Sequence, residues 1–400
     1  MKLFILEMFS VPKQYTELRA IDLCRLLGLC ALIICGLSAC AGQATNVLVV
    51  GQPKAVAGTS TVDMLVASTR APTVIPGQVF GGDRGLASFA EIEVSIPPHR
   101  SSGTIQWPSK LPANPATDFT AVKVDVVDRS DIIDALHRRL TRSRNRNVLL
   151  FVHGFNNRFD AAVYRFAQIV HDSGTDAVPV LFTWPSAGEL TAYGYDRDSA
   201  TYSRTALEKT LDYLIQDKSV ASVSILAHSM GNWVTLEALR QMAIRRGSIP
   251  KKVENVMLAS ADVDIDVFET QVADMGTQRP AFTVFVASDD RALEASKILW
   301  QSKSRLGDIN PNVQPYAGYM KAHNIDIVNL SDVKTSGFIH HDKFAASGEI
   351  VSLIGKQIAT GQPISDESIG LTDVIAMGAA QTALKATTLA RPLRLGSSVQ

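Results

Sequence analysis

From residue 148 onward the sequence keeps one rhythm: a short apolar run, then a stretch of helical periodicity, then another run. The runs are 148–152, 178–183, 220–227, 253–259, 282–287 and 325–330. Helical patterns fall at 159–172, 201–217, 231–246, 290–300 and 346–360. A strand that is apolar along its whole length needs cover on both faces, and a parallel partner needs a long crossover to reach it. The alternation therefore predicts an α/β chain, a mostly parallel sheet with helices on both faces. Upstream, 62–68, 90–97 and 122–127 have strand composition, with Ile92, Val94 and Ile96 on one face, and 131–140 reads as a short helix. Residues 98–118 are rich in Pro, Ser and Gly and read as loop. About eight strands are expected in all.

The chain has 400 residues, room for one large domain or two ordinary ones. Its formal net charge is zero, so no basic field argues for a nucleic-acid partner. All four cysteines, Cys24, Cys30, Cys35 and Cys40, lie in the first forty residues, which leaves the rest without a disulfide or a thiolate site. The same forty residues read as an export signal. Arg19 and Arg25 flank an apolar run, Leu26 to Leu37, that is shorter than the roughly 20 residues of a membrane span. The run ends Leu37-Ser38-Ala39-Cys40, which resembles the lipobox of bacterial lipoproteins. That resemblance implies cleavage before Cys40, lipidation of Cys40 and a membrane partner held through the lipid anchor. With Ala41 after the cysteine, it also implies the cell envelope, at the outer membrane facing the periplasm. An uncleaved N-terminal anchor helix is the alternative. The expected organisation is a signal peptide over 1–40, a flexible tether over 41–60, one domain over 61–362 and a tail over 363–400 with a helical pattern at 370–389.

The chemistry centres on Ala227-His228-Ser229-Met230-Gly231, where the run 220–227 gives way to the helix at 231. G-x-S-x-G at a strand-to-helix turn is the nucleophile elbow, and here Ala stands for the first Gly. A serine N-cap is the plainer reading, but the flanking strand and helix supply the context that the elbow requires. A nucleophilic serine needs donors for an oxyanion, a base and an acid that orients the base. The first should follow the run 148–152, where His153-Gly154-Phe155 lets the chain turn and offers the N–H of Phe155. The N–H of Met230 is the second donor. His153 is read as a structural residue, because the base is due later in the chain. The acid is Asp289 or Asp290 after 282–287, with Asp262, Asp264 and Asp266 as competitors. The base is His340 or His341, with His323 nearby. The alternating aspartates lack the Gly and Glu of an EF-hand loop, so no metal and no cofactor is expected.

Taken together, "VASTR" (66–70), "VSIPPHRSSGTI" (94–105), "FVHGFNN" (151–157), "LFTWPSAG" (181–188), "YDRDSATYS" (195–203), "LAHSMGN" (226–232), "LASADVDIDVF" (258–268), "SDDRALEAS" (288–296) and "HDKF" (341–344) resemble the α/β-hydrolase superfamily. More narrowly, they resemble an uncharacterised bacterial family within it, a domain of unknown function, over roughly 60–360. The resemblance implies the α/β-hydrolase fold and a Ser229, Asp290, His341 triad that forms an acyl-enzyme from a small-molecule ester or related acyl substrate. Asp290 is selected because an acid precedes Arg-Ala-Leu in that family, and His341 because of the residues that follow it. Asp289 beside Asp290 is a departure. Brändén's rule puts the ligand at the carboxyl ends of the strands. His153, Gly154, Trp184 and Tyr193, with Tyr195, are therefore pocket candidates, and core packing is the alternative for the aromatic residues. Asp196 and Arg197 are read as a loop-ordering pair. A membrane-tethered binding module, and a peptidase or acyltransferase with the same triad, are the competing functions.

Overall fold

The computed structural model describes residues 44–51, 56–300, 304–335 and 337–361. The export signal with Cys40, and the tail 363–400, lie outside the described residues. Nine strands form one sheet, one more than the expected eight: β1 Ser60–Pro72, β2 Phe80–Ile96, β3 Thr120–Val127, β4 Asn147–Val152, β5 Val178–Thr183, β6 Ser222–His228, β7 Val253–Ala259, β8 Ala281–Val286 and β9 Ile325–Asn329. Their order across the sheet is β3-β2-β1-β5-β4-β6-β7-β8-β9. β2 runs antiparallel to β1 and β3, and every other pairing is parallel.

The helices are α1 Arg129–Leu140, α2 Phe159–Ser173, α3 Tyr193–Gln216, α4 Gly231–Arg246, α5 Ile265–Met275, α6 Arg291–Trp300, α7 Tyr316–Ala322, α8 Lys343–Ala346 and α9 Gly348–Thr360. They cover both faces because the central strands are apolar on both. Val148, Leu150 and Val152 of β4 belong to a core cluster with residues of α1, α3, α4 and α5. Phe151, between them, points to the other face and stacks on Phe166 of α2 at 5.2 Å. On that face α9 also docks, with Gln357 Nε2 donating to Thr283 Oγ1 of β8 at 2.9 Å.

Three differences from the sequence expectations have physical causes. Residues 44–51, read as tether, pack onto the domain: Val47 and Leu48 are buried, the Val47 N–H donates to Asp160 Oδ2 and the Tyr164 hydroxyl donates to the Val47 carbonyl. α3 begins at Tyr193 rather than 201, because its first two turns bury Asp196 and Ser199 through hydrogen bonds, which leaves little apolar periodicity to read. α5 falls between the helical patterns read from the sequence, and Asp264 caps it by accepting the Asp266 N–H at 3.0 Å.

The strand order places the site. From β4 the chain moves to β5 on one side, then returns past β4 to β6 and onward on the other. The carboxyl ends of β4 and β6 therefore flank a topological switch point, where an open α/β sheet leaves a crevice.

Candidate active site

Ser229 sits in the turn between β6 and α4 with φ +52°, a left-handed conformation that a non-glycine residue holds only when its surroundings enforce it. They do so here. The Ser229 N–H donates to Ala259 O at 3.0 Å. Its carbonyl accepts from Asn232 N at 3.1 Å, Asp262 N at 3.3 Å and Asn232 Nδ2 at 2.9 Å. Asn232 Nδ2 also reaches Ala259 O at 3.0 Å, which ties β6, β7 and α4 together at the turn. Two glycines permit the approach of β4 to this turn. A Cβ on Gly231 would lie 2.4 Å from His153 O and 2.5 Å from Val152 O, and one on Gly154 would lie 2.7 Å from Ser229 Cβ. Ala227, in place of the first motif glycine, is wholly buried in β6.

The turn after β4 passes beside Ser229. Among the described residues, neither the Phe155 N–H nor the Met230 N–H donates to an acceptor. Met230 is the N-cap of the sixteen-residue α4, so the positive end of that helix dipole lies at the same place. His153 is buried, and its tautomer follows from its partners. Nε2 takes N–H bonds from Trp184 at 3.2 Å and Arg70 at 3.3 Å, so it is the acceptor, and Nδ1 carries the proton and donates to Gly154 O at 2.9 Å. Burial, reinforced by the Arg70 guanidinium, pushes the His153 pKa down to about 3, so the ring stays neutral.

Two His–Asp pairs lie across from the elbow. His341 Nδ1 donates to Asp290 Oδ2 at 2.8 Å. The other Asp290 oxygen accepts the N–H groups of Ala292 and Leu293, so this carboxylate also caps α6. Burial opposes charge on His341, but the Asp290 carboxylate outweighs it and the net shift of the pKa is upward. Asp289 makes the outer pair: its oxygens accept from Lys343 Nζ at 2.8 Å, and His340 Nδ1 lies 2.8 Å away. The Ser229 hydroxyl has no hydrogen-bond partner among the described residues. In ligand-free enzymes such a bond commonly tightens only when substrate is present.

The remaining sequence candidates are placed as follows. Trp184 is fully buried, stacks on His153 at 5.0 Å and donates from Nε1 to His153 O, so it backs the β4 turn rather than lining a pocket. Tyr193 is buried with its ring 5.0 Å from Phe155 and its hydroxyl on Asp262 Oδ2 at 2.6 Å. Asp262 is held further by Ser296 and Arg305 and acts on His341 only as a nearby charge, and Asp264 caps α5. His323 caps α7 before β9, at the amino edge of the sheet. Arg197 lies over the Trp233 ring, and Asp196 binds the Ser186 hydroxyl and the Ala187 N–H.

Two residues escaped the sequence reading. His228, next to Ser229, donates from Nε2 to the His341 carbonyl at 3.1 Å, and burial holds its pKa well below the ordinary histidine value. Lys343 is buried, and besides Asp289 it donates to Leu330 O and Ser331 O, which fastens the His341 segment to the end of β9. The only available signal for either was its place inside a motif.

Residues 129–357, more than half of the chain, match the family described as alpha/beta hydrolase of unknown function (DUF900). An uncharacterised protein from Nostoc sp. (strain PCC 7120) is 22% identical over 151 residues, which cover 32% of this chain and 39% of that protein. Two solved structures are similar. One, assigned as a cell surface hydrolase from Lactobacillus plantarum WCFS1, is 14% identical, with a TM-score of 0.33 over 59% of this chain and 96% of its own. The other, a lipase-esterase related protein from Clostridium acetobutylicum ATCC 824, is 13% identical, with a TM-score of 0.29 over 55% and 96%.

The contact at Gly231 yields a stability prediction. Gly231→Ala forces β4 away from the elbow, and overpacking of this kind costs roughly 1–3 kcal/mol. Urea denaturation should show the loss, and an unchanged midpoint would contradict so close an approach.

Proposed function

The chain belongs to the family of alpha/beta hydrolases of unknown function, and we propose that it is a serine hydrolase of carboxylic esters or related acyl substrates. The observation that carries the reading is the His341–Asp290 hydrogen bond of 2.8 Å at the same sheet edge as the strained Ser229. With Nδ1 bonded to the carboxylate, Nε2 of the neutral imidazole is free to take the Ser229 proton. Ser229 Oγ then bonds to the acyl carbon, and the N–H groups of Phe155 and Met230 meet the negative charge on the former carbonyl oxygen. Collapse returns that electron pair, His341 protonates the departing alcohol, and water repeats the sequence on the acyl-enzyme.

A fluorophosphonate probe should label the wild-type protein at Ser229. Ser229→Ala should lose both labelling and p-nitrophenyl ester turnover. Turnover that persists in Ser229→Ala would remove Ser229 from the reaction. A series of esters graded by acyl length, run beside amide substrates and acyl acceptors, then separates an esterase from a peptidase or an acyltransferase.

The pH dependence follows from the sign of the His341 shift. The base works when neutral and its pKa is raised, so kcat/KM should climb with pH through a limb above the ordinary histidine value. Asp290→Asn removes the main raising influence. The limb should move to lower pH, and kcat should fall on the order of 10³–10⁴-fold as the tautomer is lost. An unmoved limb would mean that His341 is not the titrating group.

The Leu-Ser-Ala-Cys sequence before residue 41 further supports lipid anchoring at Cys40. Cys40→Ser should move the protein from the membrane pellet to the supernatant and abolish incorporation of labelled fatty acid. A variant that stays in the membrane would favour the uncleaved anchor helix.

A further inference from the structure

Several sequence blocks supply no reacting group: "VASTR", the end of "FVHGFNN", "LFTWPSAG" and "YDRDSATYS". The fold brings them together around one guanidinium. Arg70, in β1, is 1% exposed. Its Nε donates to Thr183 Oγ1 at 2.8 Å. Nη1 donates to Gly81 O and Ser186 O, both at 2.9 Å. Nη2 donates to Asn157 O at 2.7 Å and His153 Nε2 at 3.3 Å. All five N–H groups are used. Among the described residues, none of these bonds goes to a carboxylate. Burial lowers the Arg70 pKa to about 9, so the group is still a cation at neutral pH.

What these bonds hold is the turn that carries the Phe155 N–H. Arg70 fixes Asn157 O, and it keeps His153 Nε2 an acceptor, which commits His153 Nδ1–H to Gly154 O. A second clamp works from the other side. The Asn157 N–H donates to Ser186 Oγ at 3.0 Å, and that hydroxyl donates to Asp196 Oδ2 at 2.5 Å. Asp196 also accepts the Asn156 N–H at 3.2 Å and the Ala187 N–H at 2.8 Å. Backbone atoms on both sides of Phe155 are therefore held by side chains from β1, the loop after β5 and α3. A side chain needed only for packing could be apolar; a buried cation spread over five acceptors costs desolvation that packing alone does not call for.

We propose that Arg70 is a positioning residue for the oxyanion hole, with Asp196 and Ser186 as its counterpart. It sets the 154–157 turn and places a buried positive charge behind it, in a low-dielectric region where that charge favours the oxyanion. This inference rests on the serine-hydrolase reading.

The test uses the purified full chain and three variants: Arg70→Lys, which keeps the charge but fewer donors, Arg70→Gln, which removes the charge, and Ser186→Ala, which deletes the hydroxyl that links the Asn157 N–H to Asp196 and leaves the Arg70 contacts in place. Each is measured for thermal midpoint, for kcat and KM on p-nitrophenyl acetate, and for the rate of fluorophosphonate labelling. Labelling also builds negative charge on an oxygen in the same hole. Losing one oxyanion donor costs about 10²–10³-fold in kcat, so Arg70→Gln should lose about 100-fold, with Arg70→Lys retaining part of it. KM should stay within about twofold, because the hole acts on the transition state and not on the bound ester. Labelling should slow in parallel. If the Arg70 variants do not fold, Ser186→Ala carries the test, with a smaller loss in kcat at unchanged KM. Folded variants with wild-type kcat and labelling rates would overturn the inference, as would losses that appear in KM alone. A wild-type protein that is not labelled at Ser229 would instead overturn the serine-hydrolase reading on which it rests.

Discussion

The close approach of β4 to the β6–α4 turn is the constraint on which the site depends. It exists because Gly154 and Gly231 have no Cβ where one would fall inside 3 Å of the facing chain. Once the segments meet, Ser229 is forced into a left-handed conformation, and Asn232, Asp262 and Ala259 supply the hydrogen bonds that hold it there. Phe155 and Met230 are brought near each other by the same contact, since they belong to the two turns that it joins.

Around that contact lie two layers of support with different chemistry. Behind the β4 turn, Arg70, His153, Asp196 and Ser186 form a buried polar lattice in which each donor meets an acceptor. On the far side, Lys343 pins the segment carrying His341 through Asp289 and two carbonyls, while His228 holds the His341 carbonyl from below. A histidine delivered by a long loop keeps one orientation only through such anchoring, because an unanchored loop samples many.

The elbow, the His-Gly turn and the strand rhythm were legible in the sequence because each is local: periodicity, small residues at tight turns and a helix start are all set within a few residues. The residues alone left Asp290 and His341 as members of neighbouring pairs, Asp289 with Asp290 and His340 with His341, and the family resemblance selected one of each. Adjacent residues of one type look alike along the chain, and they part only when one faces the sheet edge and the other faces Lys343. The tether misread at residues 44–51 has the same origin: Val47 and Leu48 are buried by Asp160 and Tyr164, more than a hundred residues away. Trp184 was weighed as a pocket wall, yet its ring belongs to the packing beneath His153.

By itself the sequence determined the layered α/β architecture, the place of Ser229 between a strand and a helix, and the segments that carry Asp290 and His341. Those features depend on hydrophobic period and backbone sterics, which act at short range. Tertiary structure alone decided that Lys343 binds Asp289 and leaves Asp290 to His341, that His228 serves the histidine segment, and that the distant segments 153–157 and 183–186 converge on Arg70. Those outcomes depend on which polar groups are desolvated together, and that is settled only when the sheet brings remote segments within hydrogen-bonding distance.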